Sequence, residues 1–176
     1  MPQFKVKDNR ELEILDNGIT SDKAIIFHHG TPHHASAWSS WLEEAASRGI
    51  RALSYSRAGY GTSDRNFGRS VLSNNSDISL LLDGKNISSF VAIGWSGGGP
   101  HALANTFDHR NVGAITLAFF GEDVIVMIDF GPVNGPSLIS TAQVRSPLVN
   151  TRKLVLAFVA VTVVQPALGY SDWKNA

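Results

Sequence analysis

Residues 90–107 constrain the fold of this chain more than any other stretch. An apolar strand pattern at 90–93 runs into Gly-Trp-Ser-Gly-Gly at 94–98, and a helical pattern begins near Pro100. Glycines on both sides of Ser96 suit a sharp turn, because side chains at those positions would clash with the backbone. A proline in the first turn of a helix loses no hydrogen bond. The segment predicts a strand, a strained turn with positive φ at Ser96, and a helix.

Two upstream segments join a strand to a glycine-containing loop. The apolar run 23–27 breaks into His-Gly-Thr-Pro at 29–32, and the strand pattern 51–55 ends in Gly-Tyr-Gly-Thr-Ser-Asp at 59–64, here called the glycine loop. Strands that alternate with helices predict an α/β fold with a mostly parallel sheet, helices on both faces and right-handed crossovers. The carboxyl ends of the strands should then bring Thr31 and Ser96 to one edge of the sheet.

His-Gly-x-Pro, the glycine loop and Gly-x-Ser-x-Gly, in this order, resemble the α/β-hydrolase superfamily over about residues 4–120. The resemblance implies that Ser96 is the catalytic nucleophile and that the backbone N–H groups of Thr31 and Gly97 form the oxyanion hole. It also implies a serine hydrolase: an ester or related small acyl substrate would form an acyl-enzyme on Ser96, and water would release the acyl group without a cofactor.

The family's triad runs in the order serine, acid, histidine, and the second half of this chain departs from that order. The last histidine, His109, follows Ser96 by only thirteen residues. Glu122, Asp123 and Asp129 stand near the place where relatives carry the acid, but an acid without a histidine to orient has no role in a triad. Two functions stay open: a serine hydrolase, or a catalytically silent, hydrolase-like fragment that serves as a binding or interaction module.

Four histidines flank the Gly-Thr-Pro segment and could suggest a metal site: His28, His29, His33 and His34. Adjacent side chains on an extended segment point in opposite directions, whereas zinc needs converging ligands, so no metal site is predicted. The resemblance instead implies that His29 orders the loop by hydrogen bonding. His101, five residues after Ser96, is interpreted as a packed or capping residue rather than as the base.

A glycine pattern at 97–102 superficially matches a dinucleotide-binding fingerprint after a strand. In that fingerprint, the glycine that closes the strand is followed two residues later by a second glycine. Those two positions are Gly94 and Ser96 here, and the serine breaks the pattern. This interpretation also leaves the motif at 29–32 unexplained, so no cofactor is predicted.

The composition bounds the domain organisation and the partners. A length of 176 residues suits one domain, with a recognisable core at 1–120 and a divergent tail at 121–176. Since relatives in the superfamily are longer, we interpret the chain as a truncated or divergent version. Fifteen basic and fifteen acidic residues balance, and no basic cluster occurs, so neither nucleic acid nor a membrane surface is expected as a partner.

The chain has no cysteine, which excludes disulfides, a thiolate nucleophile and cysteine-ligated metal. Its first residues lack the apolar segment of a secretory signal. The longest apolar stretch, 154–164, is far shorter than the roughly 20 residues of a membrane span. A soluble, cytoplasmic protein is therefore expected.

The remaining patterns predict individual elements. A hairpin is expected from 4–7 and 11–15, a helix over 36–48 capped by Gly49, a loop over 66–78, a short helix at 78–82 and a strand over 112–120. Arg57 and Asp64 are expected to pair or cap locally. In the tail, 124–130 is interpreted as a strand, 131–136 as a turn, and 154–164 as a strand or buried helix. An incomplete sheet would leave an edge at 112–120 that the tail covers, or through which the chain self-associates.

Overall fold

The computed structural model describes residues 1–120, 123–130 and 138–145. Within these ranges the chain forms eight strands: β1 Gln3–Lys5, β2 Glu11–Asp16, β3 Lys23–His28, β4 Ala52–Tyr55, β5 Ser89–Trp95, β6 Asn111–Phe120, β7 Asp123–Phe130 and β8 Leu138–Arg145. Three α-helices lie between them: α1 Ser39–Ser47, α2 Asn74–Gly84 and α3 Gly99–Ala104. Short 3₁₀ turns complete the connections at Lys7–Asn9, Ala35–Trp38, Ser96–Gly98 and Asn105–Phe107.

All eight strands form one sheet in the order β1-β2-β4-β3-β5-β6-β7-β8. The four central strands β4, β3, β5 and β6 are parallel, whereas β1 and β2 on one side and β7 and β8 on the other are antiparallel to their neighbours. The predicted α/β fold with a parallel sheet is confirmed for the centre of the sheet. The antiparallel pair of β1 and β2 confirms the predicted hairpin, although β1 ends at Lys5. The antiparallel direction of β7 and β8 is an addition that strand–helix alternation did not indicate.

Helices cover both faces of the sheet, as predicted. On one face α1 and the preceding 3₁₀ turn pack with the sheet into a cluster that includes Trp38, Trp41, Leu42 and Phe27. On the other face, α2 and α3 contribute side chains to a second cluster with β2, β3, β4, β5 and β6. Because the central strands are buried on both sides, they read in the sequence as continuous apolar runs.

Two helices begin at other positions than predicted. The first turn of the helix expected over 36–48 is a 3₁₀ turn, and Gly49 after α1 has φ +68°, which confirms its predicted capping role. The second helix begins at Asn74 instead of 78, so the loop predicted over 66–78 is too long. Distant partners stabilise this first turn: the Asn74 amide donates to the Tyr55 hydroxyl at 2.6 Å, and Asp77 pairs with Arg10 at 2.7 Å.

The strand predicted at 124–130 is present as β7 and pairs along β6 from Ala114 to Phe120, so it covers the edge expected to be open. The eighth strand, β8, was not predicted. The turn predicted at 131–136 and the apolar stretch 154–164 lie outside the described residues. Self-association through a sheet edge stays a prediction. Among the residues that the structure describes, no helix has the length and apolar character needed to span a bilayer.

Candidate active site

The turn at 94–99, here called the elbow turn, connects β5 to α3. Trp95 ends the strand, Ser96–Gly98 form a 3₁₀ turn, and Pro100 lies in the first turn of α3. Ser96 has φ +50°, which confirms the predicted positive-φ conformation, and its side chain is exposed. A non-glycine residue rarely adopts this conformation, and such strain is typical of functional positions.

The glycines of the elbow turn are required by close backbone packing. A Cβ atom at Gly97 would lie 2.7 Å from Thr31 Oγ1 and 3.3 Å from Thr31 N. At Gly98 it would lie 2.7 Å from the carbonyl carbon of His28, and at Gly94 it would lie 2.6 Å from the carbonyl carbon of Gly98. At Gly94 and Gly98 these contacts are with main-chain atoms, and real Cβ atoms do not approach so closely, whereas at Gly97 the shortest contact is with the Thr31 side chain. The turn therefore exists in this form only without side chains at 94 and 98, and at 97 only if Thr31 moves.

Thr31 lies directly beside the elbow turn, as the contact with Gly97 shows. It follows the carboxyl end of β3, and the Thr31–Pro32 peptide bond is cis. Within the described ranges, its N–H group donates no backbone hydrogen bond. The two residues predicted to form the oxyanion hole are thus neighbours at the carboxyl edge of the sheet. That both N–H groups point at one spot near the Ser96 hydroxyl stays a prediction.

The loop that carries Thr31 is held by His29 and Arg57. His29 Nδ1 lies 2.7 Å from the Gly30 carbonyl oxygen, and His29 Nε2 accepts the Arg57 N–H at 3.0 Å, so the proton of this imidazole is on Nδ1. Burial, followed by the Arg57 charge, lowers the pKa of His29 to about 3. A neutral imidazole that joins two loops agrees with the ordering role that the resemblance implied for His29.

The Arg57 side chain was expected to pair or cap locally near Asp64, and this expectation is wrong. Its guanidinium is buried, donates to the His29 carbonyl oxygen and lies 3.5 Å from Thr31 Oγ1. Asp64 instead accepts the Glu11 N–H at 2.8 Å. Gly59 and Gly61, between the two residues, both have positive φ, a conformation that glycine adopts readily.

Glu13 organises the glycine loop, and sequence reasoning missed it. Its buried carboxylate accepts the Thr62 N–H at 2.7 Å and the Thr62 hydroxyl at 2.9 Å, and lies 3.4 Å from His34 Nδ1. Burial opposes the charge, but the hydrogen bonds from Thr62, together with His34, hold the pKa of Glu13 below its usual value. A lone glutamate within an alternating strand gives no local signal for this role.

The other histidines diverge from one another. His28 is buried with Nδ1 2.9 Å from the Tyr55 hydroxyl, and the His33 ring packs on Trp95 at 4.8 Å. His101 is buried, and burial followed by the charges of Arg57 and Arg69 lowers its pKa to about 4. Among the described residues, no cluster of three or more His, Asp or Glu side chains could hold a metal ion.

Within residues 1–117, no residue is hydrogen-bonded to the Ser96 hydroxyl. His109, the last histidine, is exposed just before β6, at the amino edge of the sheet and therefore opposite to Ser96. Of the three candidate acids, Asp123 pairs with Phe120 at the carboxyl end of β6, whereas Asp129 pairs with Ala114 toward the amino end of β6. Glu122 lies outside the described residues. Backbone placement brings Asp123 nearer than Asp129 to the edge that carries Ser96, but the interpretation of these carboxylates as solvated loop residues without a triad role stays a prediction.

Comparisons with known proteins bear on the family to which this chain belongs. The profile of the alpha/beta hydrolase family matches residues 25–173. The chain is 33% identical over 103 residues to an epoxide hydrolase of Caballeronia sordidicola, covering 53% of this chain and 31% of the relative. It is 29% identical over 100 residues to a non-heme chloroperoxidase of Streptomyces lividans, covering 56% and 36%.

The fold is also similar to that of a solved esterase from Exiguobacterium antarcticum. The TM-score is 0.58 at 22% identity, and the match covers 66% of this chain and 44% of the esterase. The chain thus spans between about a third and a half of the length of these relatives. The family profile extends over most of the sequence. This chain belongs to the alpha/beta hydrolase family.

Proposed function

We propose that the chain carries the nucleophile and the oxyanion hole of a serine hydrolase that acts on esters or related acyl compounds. The Ser96 hydroxyl oxygen attacks the acyl carbon, and the N–H groups of Thr31 and Gly97 stabilise the negative oxygen that develops. The alcohol leaves, and water then releases the acyl group and restores the serine. The observation that carries this proposal is Ser96 itself, exposed at φ +50° on the elbow turn beside Thr31.

The names of the relatives do not decide the reaction, since they include an epoxide hydrolase, a chloroperoxidase and an esterase. The side chain at the elbow turn supports acyl transfer. A serine oxygen forms a covalent acyl intermediate, and two N–H groups beside it favour the tetrahedral oxyanion over a neutral carbonyl.

A second candidate function is a binding module that keeps the shape of the site without turnover. One observation supports this second function. Within residues 1–117, no base is hydrogen-bonded to the Ser96 hydroxyl. A serine hydroxyl is a weak nucleophile until a base takes its proton. Without a base, catalysis would fall to the roughly 10³-fold acceleration over water that oxyanion contacts and binding alone supply.

Labelling with a fluorophosphonate, followed by intact mass and peptide mapping, separates the two functions. Modification at Ser96, slower than in a complete triad, is expected in the unchanged chain and in Ser47→Ala, which removes an exposed serine at the end of α1. Ser96→Ala should abolish the modification. A folded chain that leaves Ser96 unmodified while the reagent labels an active serine hydrolase in the same tube would overturn the hydrolase proposal and support the binding module.

A further inference from the structure

A cleft of about 390 Å³ opens beside the glycine loop. Its walls include Tyr60, Arg65, Asn66, Phe67 and Arg69. Phe67 is 88% exposed, so an apolar ring and two guanidinium groups share one open cavity. The volume is in the range of small-molecule sites, and a mixture of apolar surface with a few polar groups is typical of them.

The cleft lies in a concentration of positive charge. The guanidinium carbons of Arg57 and Arg69 lie 5.0 and 5.5 Å from the centre of the Tyr60 ring, so two cations share one aromatic side chain. Arg57 is only 2% exposed. Within residues 1–117, no carboxylate forms an ion pair with Arg57, Arg65 or Arg69.

This arrangement is unusual, because arginine is rarely buried without a charged partner and neighbouring like charges repel. The described partners of the Arg57 guanidinium are the His29 carbonyl oxygen, the Thr31 hydroxyl and Tyr60, and none of them compensates the positive charge. Within residues 1–117, the buried Arg57 Nε has no hydrogen-bond partner. An anion in the cleft would lower the electrostatic energy of all three arginines. Guanidinium groups bind carboxylates well, since their planar N–H groups match the two oxygens.

The cleft adjoins the candidate active site. The Tyr60 hydroxyl lies 3.5 Å from Thr31 Oγ1. A Cβ atom at Gly97 would lie 2.7 Å from that same oxygen, and Gly97 follows Ser96 directly. A compound bound in the cleft therefore lies one side chain away from the residues proposed to hold the oxyanion.

We propose that this cleft, the arginine cleft, binds a carboxylate group of the substrate, and that the substrate class is an acyl compound bearing a negative charge. The statement that the bound anion is a substrate rests on the proposed function. The binding of an anion in the cleft does not depend on that function. Arg65 and Arg69 contact the carboxylate, Tyr60 and Phe67 contact the apolar part, and Arg57 adds positive potential from below.

The binding arm of the test compares benzoate with benzamide, its neutral isostere, by NMR titration at low ionic strength. Benzoate should bind at least about tenfold more tightly, as expected for a charge-assisted contact. Arg69→Gln should weaken benzoate binding about tenfold and leave benzamide unaffected, and Arg69→Lys should restore part of the loss. Added salt should weaken benzoate binding, because these guanidinium groups are partly exposed.

Arg48→Gln is the matched control, because Arg48 is an exposed arginine that pairs with Glu44 on α1. It should leave the benzoate affinity unchanged. Two results would overturn the arginine cleft as an anion site. One is equal affinity for benzoate and benzamide, and the other is an equal loss of benzoate affinity in Arg48→Gln and Arg69→Gln.

The kinetic arm compares 4-nitrophenyl hemisuccinate with 4-nitrophenyl 4-methylpentanoate, in which an isopropyl group replaces the carboxylate. The ratio of the two kcat/KM values should favour the charged ester and fall about tenfold in Arg69→Gln. A chain that binds benzoate but hydrolyses neither ester keeps the anion site and refutes the proposed reaction. A chain that hydrolyses both esters equally keeps the reaction and refutes the anionic substrate.

Discussion

The elbow turn and the glycine loop both contact the segment around Thr31, yet they are stabilised by opposite means. The elbow turn is formed by backbone lying on backbone, with glycine at each close approach. The glycine loop is held by side chains from elsewhere: Glu13 accepts two hydrogen bonds from Thr62, and the Ser63 hydroxyl accepts the Glu13 N–H at 2.9 Å.

The difference teaches which substitutions each region tolerates. Adding atoms at Gly94 or Gly98 damages the elbow turn, because the neighbours of these two glycines are main-chain atoms that cannot move aside. Removing charge or hydrogen bonds damages the glycine loop, because its shape depends on polar partners far away in sequence. The 29–32 loop lies between them and depends on both, through Gly97 on one side and Arg57 on the other.

Lowering the pH should have the largest effect on the free energy of unfolding, because three buried histidines lie near the 29–32 loop, where the two regions meet. His28, His29 and His101 are buried and neutral, with the pKa of His28 well below its usual value, that of His29 about 3 and that of His101 about 4. The unfolded chain binds more protons below its histidine pKa of about 6.5, so stability is complete above that pH and decreases as the pH falls toward the folded values. From pH 7 to 5 the loss should be roughly 2 kcal/mol per histidine.

Urea unfolding at pH 7 and pH 5 measures this loss. His101→Gln should reduce the pH dependence of the free energy of unfolding by about one proton. Asp108, with a pKa of about 2, loses its contribution only below its unfolded value near pH 4 and so does not act in this window. A free energy of unfolding that is equal at both pH values would contradict the burial of these imidazoles.

Gly98→Ala should have the next largest effect. The new Cβ would lie against the carbonyl groups of His28 and His29, which belong to the end of β3 and cannot yield. A loss of about 3 kcal/mol or more is expected from this overpacking. Gly68→Ala is the control, because Gly68 has φ +71° with open space around it, so only backbone strain of about 1 kcal/mol is added.

Both glycine variants can be compared by urea denaturation or, if Gly98→Ala does not accumulate, by soluble yield. If Gly98→Ala were as stable as Gly68→Ala, the elbow turn would accommodate an added Cβ as an ordinary loop does. That result would contradict the proposed difference between the elbow turn and the glycine loop.

Glu13→Gln should have the smallest effect of the three, about 1 to 2 kcal/mol, because a neutral amide accepts the Thr62 hydrogen bonds more weakly than a carboxylate. Glu44→Gln is the matched control on α1, where an exposed pair with Arg48 should contribute less than about 0.5 kcal/mol. Thermal unfolding of the two variants, with crosslinking or proteolysis at the glycine loop, checks this. Equal effects would mean that Glu13 has no special role in that loop.

The elements nearest the site were predictable from sequence because their signals are local. The positive φ at Ser96 follows from the glycines around it, and the positions of Thr31 and Ser96 follow from the ends of apolar strands. The strand at 124–130 was also recognised from its apolar run. In each case, a few consecutive residues determine the conformation.

The features that sequence reasoning missed depend on contacts between residues that are distant in sequence. Glu13 and Thr62 are 49 residues apart, and Arg10 and Asp77, which support the start of α2, are 67 apart. The burial of Arg57 likewise results from β3 lying beside β4. No periodicity or short motif encodes these contacts. Sequence reasoning therefore placed the elbow turn correctly and missed the charged residues that surround it.

The arrangement of the sheet also sets an order of events during folding. Strands β6, β7 and β8 follow one another in sequence and pair as antiparallel neighbours, so little chain must be closed to form them. The parallel strands β3 and β5 are separated in sequence by α1, β4 and α2, so their pairing closes a long loop. Closing this loop costs more conformational entropy than pairing β6 with β7. We expect pulse-labelled hydrogen exchange to protect β6 amides before those of β5. Ser96 then acquires its conformation late, once the slowest contacts of the molecule have formed.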